Sequence, residues 1–398
     1  MTTAFELTND QRKYFGLDPI EKNWERFVLK GDKYRADSFL YFDGDVIKRH
    51  ITTTEDSYIE RHYNEATRSR EILLPKTDKG KDKKLSGSTL EQRQGDGVYL
   101  EIYDGHLRIG NFTSQTTFYS SRWDNEDKLE QLIPNIITDF INNSTQNHLN
   151  EIEIFKKSKR KNIKFKAGDY FCFKINRTEF GFGRILLDIG SKMRKLNLVK
   201  ENHKIFSFMG QPVFVELFVF KSITKNIDIE VLQNCKKLPS DAMMDNVLLY
   251  GDYEIIGHKE IRDEEYDFPI SFVCNSYHNT ASLQWGLIQI EQTFMEYEKL
   301  ASKKLKENIE NNHFRYATIG YSPKYGSIEI LKTLKKNDIY DFEDSKNYTA
   351  RLDLRNPKFK EARNELLKIF GLNPSKNYYE NSILTNTILP SEINKKMK

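Results

Sequence analysis

Three cysteines in 398 residues are too few, and too far apart, for a disulfide framework. Cys172, Cys235 and Cys274 form no CxxC pair. Cys172 and Cys274 lie in apolar runs and read as small buried hydrophobes, which points to a reducing compartment. No run approaches about 18 consecutive apolar residues, so no membrane-spanning helix is expected. The opening MTTAFELTNDQRKYFGL lacks a basic stretch followed by an apolar core. No signal peptide is therefore expected, and the expected location is the cytoplasm. Charge of one sign is lacking too. With 62 basic against 58 acidic residues the formal charge is +4, which points neither to a nucleic-acid binder nor to an acidic mimic of one.

Catalytic motifs are also missing. None of the eight histidines has a His or Cys partner at HxH or HExxH spacing, and no metal or cofactor is expected. There is no GxSxG, no Walker A sequence and no GxGxxG opening a helix. Cys172 lies between Phe171 and Phe173 in mid-strand, a core position rather than a nucleophile's.

Aromatic residues are abundant. The 26 Phe and 21 Tyr favour sheet, and the length favours two or three domains. Residues 1–143 read as a β-rich α+β domain closed by a helix. A short capped helix at 8–15 precedes strands at 24–29, 38–42, 46–53, 58–63 and 70–74, then a hairpin at 98–103 and 106–111. Asp43-Gly44 and Asp104-Gly105 are hairpin turns. The charged run 76–84 reads as a solvated excursion. Apolar residues at helical spacing predict a helix over 127–143, kinked or started late by Pro134. Residues 144–162, ending in a basic run with no aromatic residue to stack a base, read as a linker.

The second domain starts with a hairpin. Tyr170–Ile175 and 180–187 are its strands, joined by a polar turn over 176–179. Gly181 and Gly183 share one face of the returning strand, which implies a bend, a bulge or a backbone packed close by. Further strands are expected at 205–208, 212–221 (PVFVELFVFK, buried on both faces), 227–232, 246–249, 253–257 and 269–274. After Trp285, residues 287–311 read as one long helix. The tail carries a strand over 314–321, a strand or short helix over 327–334 and a helix over 357–370. Residues 380–398 are expected to be loose.

These residues carry a resemblance. Gly168-Asp169-Tyr170-Phe171, the Gly181-Phe182-Gly183-Arg184-Ile185 return and Asp252-Tyr253-Glu254-Ile255-Ile256-Gly257-His258 resemble the immunity protein 26 family of bacterial toxin–immunity systems. The family has Trp near the Tyr253 position, and its proline soon after is matched by Glu265-Tyr266-Asp267-Phe268-Pro269. The resemblance covers roughly residues 163–290. It implies a β-rich immunity domain; with the elements read above, this becomes an antiparallel sheet or barrel-like domain with C-terminal helices, and residues 312–398 are expected to pack on it as an α/β extension. It also implies a cognate toxin as partner, bound and neutralised without catalysis. A phosphotriester hydrolase on the same β-domain is the alternative, since some family members carry that name, and an intracellular scaffold is a second. The oligomeric state stays open.

Gly168, Asp169, Gly181, Gly183, Gly257 and Trp285 are the expected structural motif. His258 reads either as a half-exposed polar cap or as a catalytic or toxin-contacting residue. Asp263, Glu264, Glu265 and Asp267 read either as a solvated acidic loop or as a site for a basic partner surface or a cation. If the two glycines serve close packing, Gly183→Val should lower stability by about 1–3 kcal/mol, measured by thermal melts. On the same reading Arg184→Ala, on the opposite face, should lower it by less than about 1 kcal/mol.

Overall fold

The computed structural model describes residues 5–77, 79–122, 132–208, 210–312, 314 and 320–397, and the elements below are those of these residues. The fold is α+β, with about 30% helix and 30% strand. The chain divides into two compact units, Met1–Asn162 and Ile163–Lys398.

The first unit opens with α1 (Asn9–Tyr14), which Thr8 and Gln11 start as a reciprocal capping box. Gly16, at φ +69°, follows it. Then come β1 (Glu25–Leu29), β2 (Ser38–Asp43), β3 (Val46–Thr53) and β4 (Tyr58–Arg68), an antiparallel meander. The short strands β5 (Ile72–Leu73) and β6 (Lys83–Lys84) fold back on β4, followed by α2 (Gly87–Glu91). The charged excursion is pinned by Asp82, which pairs with Arg68 (2.7 Å) and Lys76 (2.8 Å). β7 (Asp96–Tyr103), β8 (His106–Asn111) and β9 (Thr116–Arg122) complete the order β1-β2-β3-β4-β7-β8-β9.

Helices α3 (Ile133–Asn142) and α4 (His148–Lys156) cover one face of this sheet. Phe15, Ile51, Leu100, Ile109, Ile137, Phe140 and Ile152 make a core there. Leu40, Phe42, Ile47, Tyr63 and Leu90 make a second core; on β2 and β4 its residues alternate with those of the first, and on β3 a register shift after Ile47 separates Ile47 from Ile51. Pro134 sits in the first turn of α3, so the helix starts late. Residues 127–131 of the expected helix lie outside the described residues.

Two features of this unit go beyond the sequence reading. β9 was not foreseen, because TTFYSSR has almost no apolar residues to alternate. The stretch expected as a linker, 144–162, contains α4 (His148–Lys156). His148, Ile152 and Phe155 fall on one helical stripe, His148 Nε2 lies 2.7 Å from the Tyr14 carbonyl, and Ile152 is fully buried. The lysines that follow mask this stripe in the sequence.

The second unit opens with β10 (Asp169–Lys174) and β11 (Phe180–Asp188), the expected hairpin. α5 (Ser191–Lys195), β12 (Pro212–Ser222), α6 (Ile229–Gln233), β13 (Asp241–Met244), α7 (Asn246–Leu249) and β14 (Glu254–His258) follow. The sheet is an open path, β13-β12-β11-β10-β14, rather than a barrel. A second sheet has β15 (Ile270–Asn275), β16 (Thr280–Trp285) and β17 (Ile288–Gln292) in sequential order. The remainder is helical: α8 (Phe294–Leu300), α9 (Lys303–Asn311), α10 (Pro323–Lys335), α11 (Lys360–Ile369), α12 (Tyr378–Leu384) and α13 (Pro390–Met397).

Several expected elements change type. Residues 227–232 and 246–249 are largely the short helices α6 and α7, and Asp228 caps α6 through the Glu230 amide. Residues 205–208 lie almost wholly in a 3-10 turn. The expected long helix over 287–311 is β17 followed by two helices. Thr293 and Glu296 form a capping box that starts α8, and Ser302 starts α9. Such caps set a new chain direction that apolar spacing alone does not report. The tail is not loose: Asn377 and Glu380 cap α12, and Tyr378 and Ile393 are buried. Residues 315–319 of the expected strand lie outside the described residues.

β10–β13 carry cores on alternate residues. Phe171, Phe173, Ile185, Val213, Val215 and Leu217 pack with Ile330 of α10. Tyr170, Cys172, Phe182 and Phe218 face the opposite way, with Leu232 of α6. Burial pushes the Cys172 thiol up to about 11, so it stays a neutral core group. A third core joins the second sheet to the C-terminal helices through Phe268, Phe272, Leu283, Leu366 and Tyr378.

One buried histidine predicts an acid sensitivity. His50 Nε2 lies 2.9 Å from Ser38 Oγ. Burial first, then Arg61, drives its pKa from 6.5 to about 4, with Glu91 opposing. The unfolded chain therefore takes up this proton near pH 6.5 and the folded chain only near pH 4, so stability falls as pH drops through that window. The loss reaches about 3 kcal/mol at most, and the lowered pKa values of His62 and His203 act in the same direction. Denaturant melts of wild type and His50→Gln should show a shallower acid-side loss in the variant. Parallel curves would refute the assignment.

Candidate functional site

Two of the sequence pieces that carry the resemblance meet at one end of the first sheet. Asp169 pairs with His258 and Tyr170 with Gly257 across β10 and β14. Gly168 makes the approach possible. At φ +90° it adopts a backbone that side chains disfavour, and a Cβ there would lie 2.6 Å from the Lys259 carbonyl oxygen. The Gly168 amide donates to the Ile185 carbonyl (2.8 Å), and the Lys259 amide donates to the Gly168 carbonyl (3.0 Å).

This turn presents Asp169, which is 6% exposed. Its Oδ2 accepts the Lys166 amide at 2.9 Å, and its Oδ1 lies 2.7 Å from His258 Nδ1. The imidazole is 30% exposed and its Nε2 lies 3.7 Å from Glu260. A buried carboxylate thus orients a half-exposed histidine, fixing which ring nitrogen faces outward. Gly257, one residue earlier, leaves room for α6: a Cβ there would lie 2.9 Å from Ile229 Cγ2.

The neighbouring glycines answer to rings rather than to a backbone. Gly183 stands opposite Phe171 and Gly181 opposite Phe173 in the β10–β11 register. A Cβ on Gly183 would lie 2.4 Å from Phe171 Cζ and 2.8 Å from Leu217 Cδ2, and one on Gly181 2.8 Å from Phe173 Cζ. Each ring lies over the glycine across the strand pair. The β11–β12 register also shifts between Gly181 and Gly183.

Arg184 overturns an expectation: its face is not solvated. It is 1% exposed, and its Nε donates to Glu216 Oε1 at 2.7 Å. Its Nη1 donates to Tyr170 Oη at 3.3 Å, and Nη1 and Nη2 each lie 3.4 Å from Glu265 Oε1. Lys237 adds a second cation to Glu216 at 2.9 Å. Glu216 was missed because PVFVELFVFK (212–221) reads as an almost continuous apolar strand, and Tyr170 on β10 reads only as a strand former. The available signal was one acid and one base, each stranded in an apolar strand.

The acidic stretch is divided in its use. Asp263–Glu265 is a 3-10 turn. Burial pushes Glu265 up, but the Arg262 amide and then Arg184 outweigh it and hold the carboxyl below its usual range. Asp267 pairs with Arg355. Asp263 is half-buried with Oδ1 unpartnered, and Glu264 is exposed. Trp285 lies apart from these groups, at the end of β16, with its ring 5.7 Å from that of Tyr378. Among the described residues no group of three or more His, Cys, Asp or Glu side chains could hold a metal ion, and no described helix is long and apolar enough to cross a membrane.

These features define a small antiparallel α+β module locked by an internal ion pair and an Asp–His contact. Residues 166–283 of it match the family described as Immunity protein 26, so the chain is similar to that family over less than a third of its length. Neither a curated protein nor a solved structure matches the chain.

Removing the Arg184 side chain leaves Glu216 buried beside an empty space. Arg184→Ala should therefore lower stability by about 3–5 kcal/mol, while Arg184→Met with Glu216→Leu should recover much of it. Urea melts of the three proteins test this, and a single-variant loss under about 1 kcal/mol would contradict the buried pairing.

Proposed function

We propose that this chain is a bacterial immunity protein that binds a cognate toxin in the cytoplasm and blocks its active surface, with no catalysis of its own. The match of residues 166–283 to the immunity protein 26 family carries the reading. The placement of the matching residues supports it. Gly168, Asp169, Gly257 and His258 hold two strands together at one sheet end, and Gly181, Gly183 and Arg184 serve packing and a buried ion pair. Residues employed in this way build a rigid scaffold, and a rigid scaffold loses little freedom on binding. An interface of about 1,600 Å² would suffice to cover a toxin's active surface. In the same reading, His258 and the acidic residues Asp263, Glu264, Glu265 and Asp267 lie on the binding side of the module.

The test is co-expression with the toxin encoded by the neighbouring gene. The chain should rescue growth and co-purify with the toxin through gel filtration. Absence of a complex, together with phosphotriester hydrolysis that a chelator abolishes, would replace this reading with the hydrolase one.

A further inference from the structure

The two edges of the first sheet are treated differently. The outer edge of β13 is closed by the chain itself: the Gly320 and Tyr321 amides donate to the Ala242 carbonyl at 2.9 and 3.0 Å, and Met243 bridges to Tyr321. β14, at the other end, pairs with β10 alone among the described residues. Its five residues are all exposed or half-buried. No backbone hydrogen bond ties Glu254–His258 to a further segment among the described residues. An open edge of this kind is a template for a further strand.

The surroundings suit a partner rather than water. Ile255 and Ile256, half-buried against opposite cores of the sheet, and Gly257 make the apolar centre of this edge. Beside it Val231 of α6 is 47% exposed, and Ile223, close to the Lys225 that pairs with Glu254 at 2.7 Å, is 81% exposed. An apolar centre inside a charged rim is the usual anatomy of a binding patch. The rim has a sign. Residues 252–267 hold seven acidic residues and two basic ones, in a chain whose net charge is +4. Glu254, Glu265 and Asp267 already have cations in Lys225, Arg184 and Arg355. Glu260, which lies 3.7 Å from His258 Nε2 yet keeps a side chain 71% exposed, and the exposed Glu264 follow β14 in the chain.

We infer that β14 is the toxin-docking edge and that its occupant is an extended, basic segment of the toxin. This segment adds as a sixth strand, with main-chain hydrogen bonds to Glu254–His258 and cationic side chains over Glu260 and Glu264. The inference rests on the toxin-binding reading above. Strand addition draws affinity from the backbone and specificity from the flanking side chains, so the acidic rim selects the partner and sets its register.

The test uses the full chain and the toxin from the neighbouring gene, with binding measured by calorimetry. Glu260→Lys/Glu264→Lys should keep the wild-type melting temperature and weaken toxin binding by about tenfold or more at low ionic strength, with the gap shrinking near about 0.5 M salt. Hydrogen exchange on the wild-type complex should show new protection of the peptide covering β14. Toxin binding that ignores the double variant and leaves β14 amides unprotected overturns this inference while the immunity reading stands. Protection of β14 without any effect of the double variant overturns the basic partner. A wild-type chain that binds no toxin overturns the reading and the inference together.

Discussion

A guanidinium placed inside a sheet must be met from every side, and Arg184 is met by three other segments. Glu216 on β12, Tyr170 on β10 and Glu265 on the turn before β15 converge on it. Leaving any of these groups unpaired in a low-dielectric interior would be costly, so the pairing constrains the register of three strands at once. A one-residue slip would send Arg184 to the opposite face, among Phe171, Leu217 and Ile185, where no counter-charge waits. The ion pair thereby does for the sheet what apolar burial alone does loosely. It selects one arrangement.

The contacts around Asp169 extend the same logic to the sheet's end. Gly168 lets the chain turn so that Asp169 is buried while still reaching His258, and Gly257 admits α6. Rings over Gly181 and Gly183 remove the slack that two glycines would otherwise leave in β11. Rigidity in the middle of the sheet is what permits an edge strand to stay open without losing its shape. The acidic residues then divide by duty: Glu265 and Asp267 serve internal cations, and Glu260 and Glu264 remain at the surface.

Much of the first unit and the opening hairpin of the second was legible in sequence. Aromatic and β-branched runs separated by Asp-Gly turns state strand, turn, strand with little ambiguity, and β3 and β8 begin and end at the expected residues. Two of the misreadings share one cause. At 227–232 and 287–311 apolar spacing suits strand and helix almost equally, and the choice was made by Asp228, Thr293 and Ser302 as caps. At 144–162 the basic run hid a helix whose stripe needs α1 beside it to show its purpose.

The sequence by itself determined the α+β class, the central hairpin and the family that residues 166–283 resemble. Those properties are local: a turn type, a period of two, a motif read in order. Only the tertiary structure decided that Arg184 is buried, that Glu216 answers it across 32 positions of chain, and that Asp169 reaches His258 across 89. Local composition marks Arg184 and Glu216 as charges stranded in apolar strands, but not that they meet. Each contact exists because strand pairing places two distant residues side by side, and burial then makes their pairing obligatory.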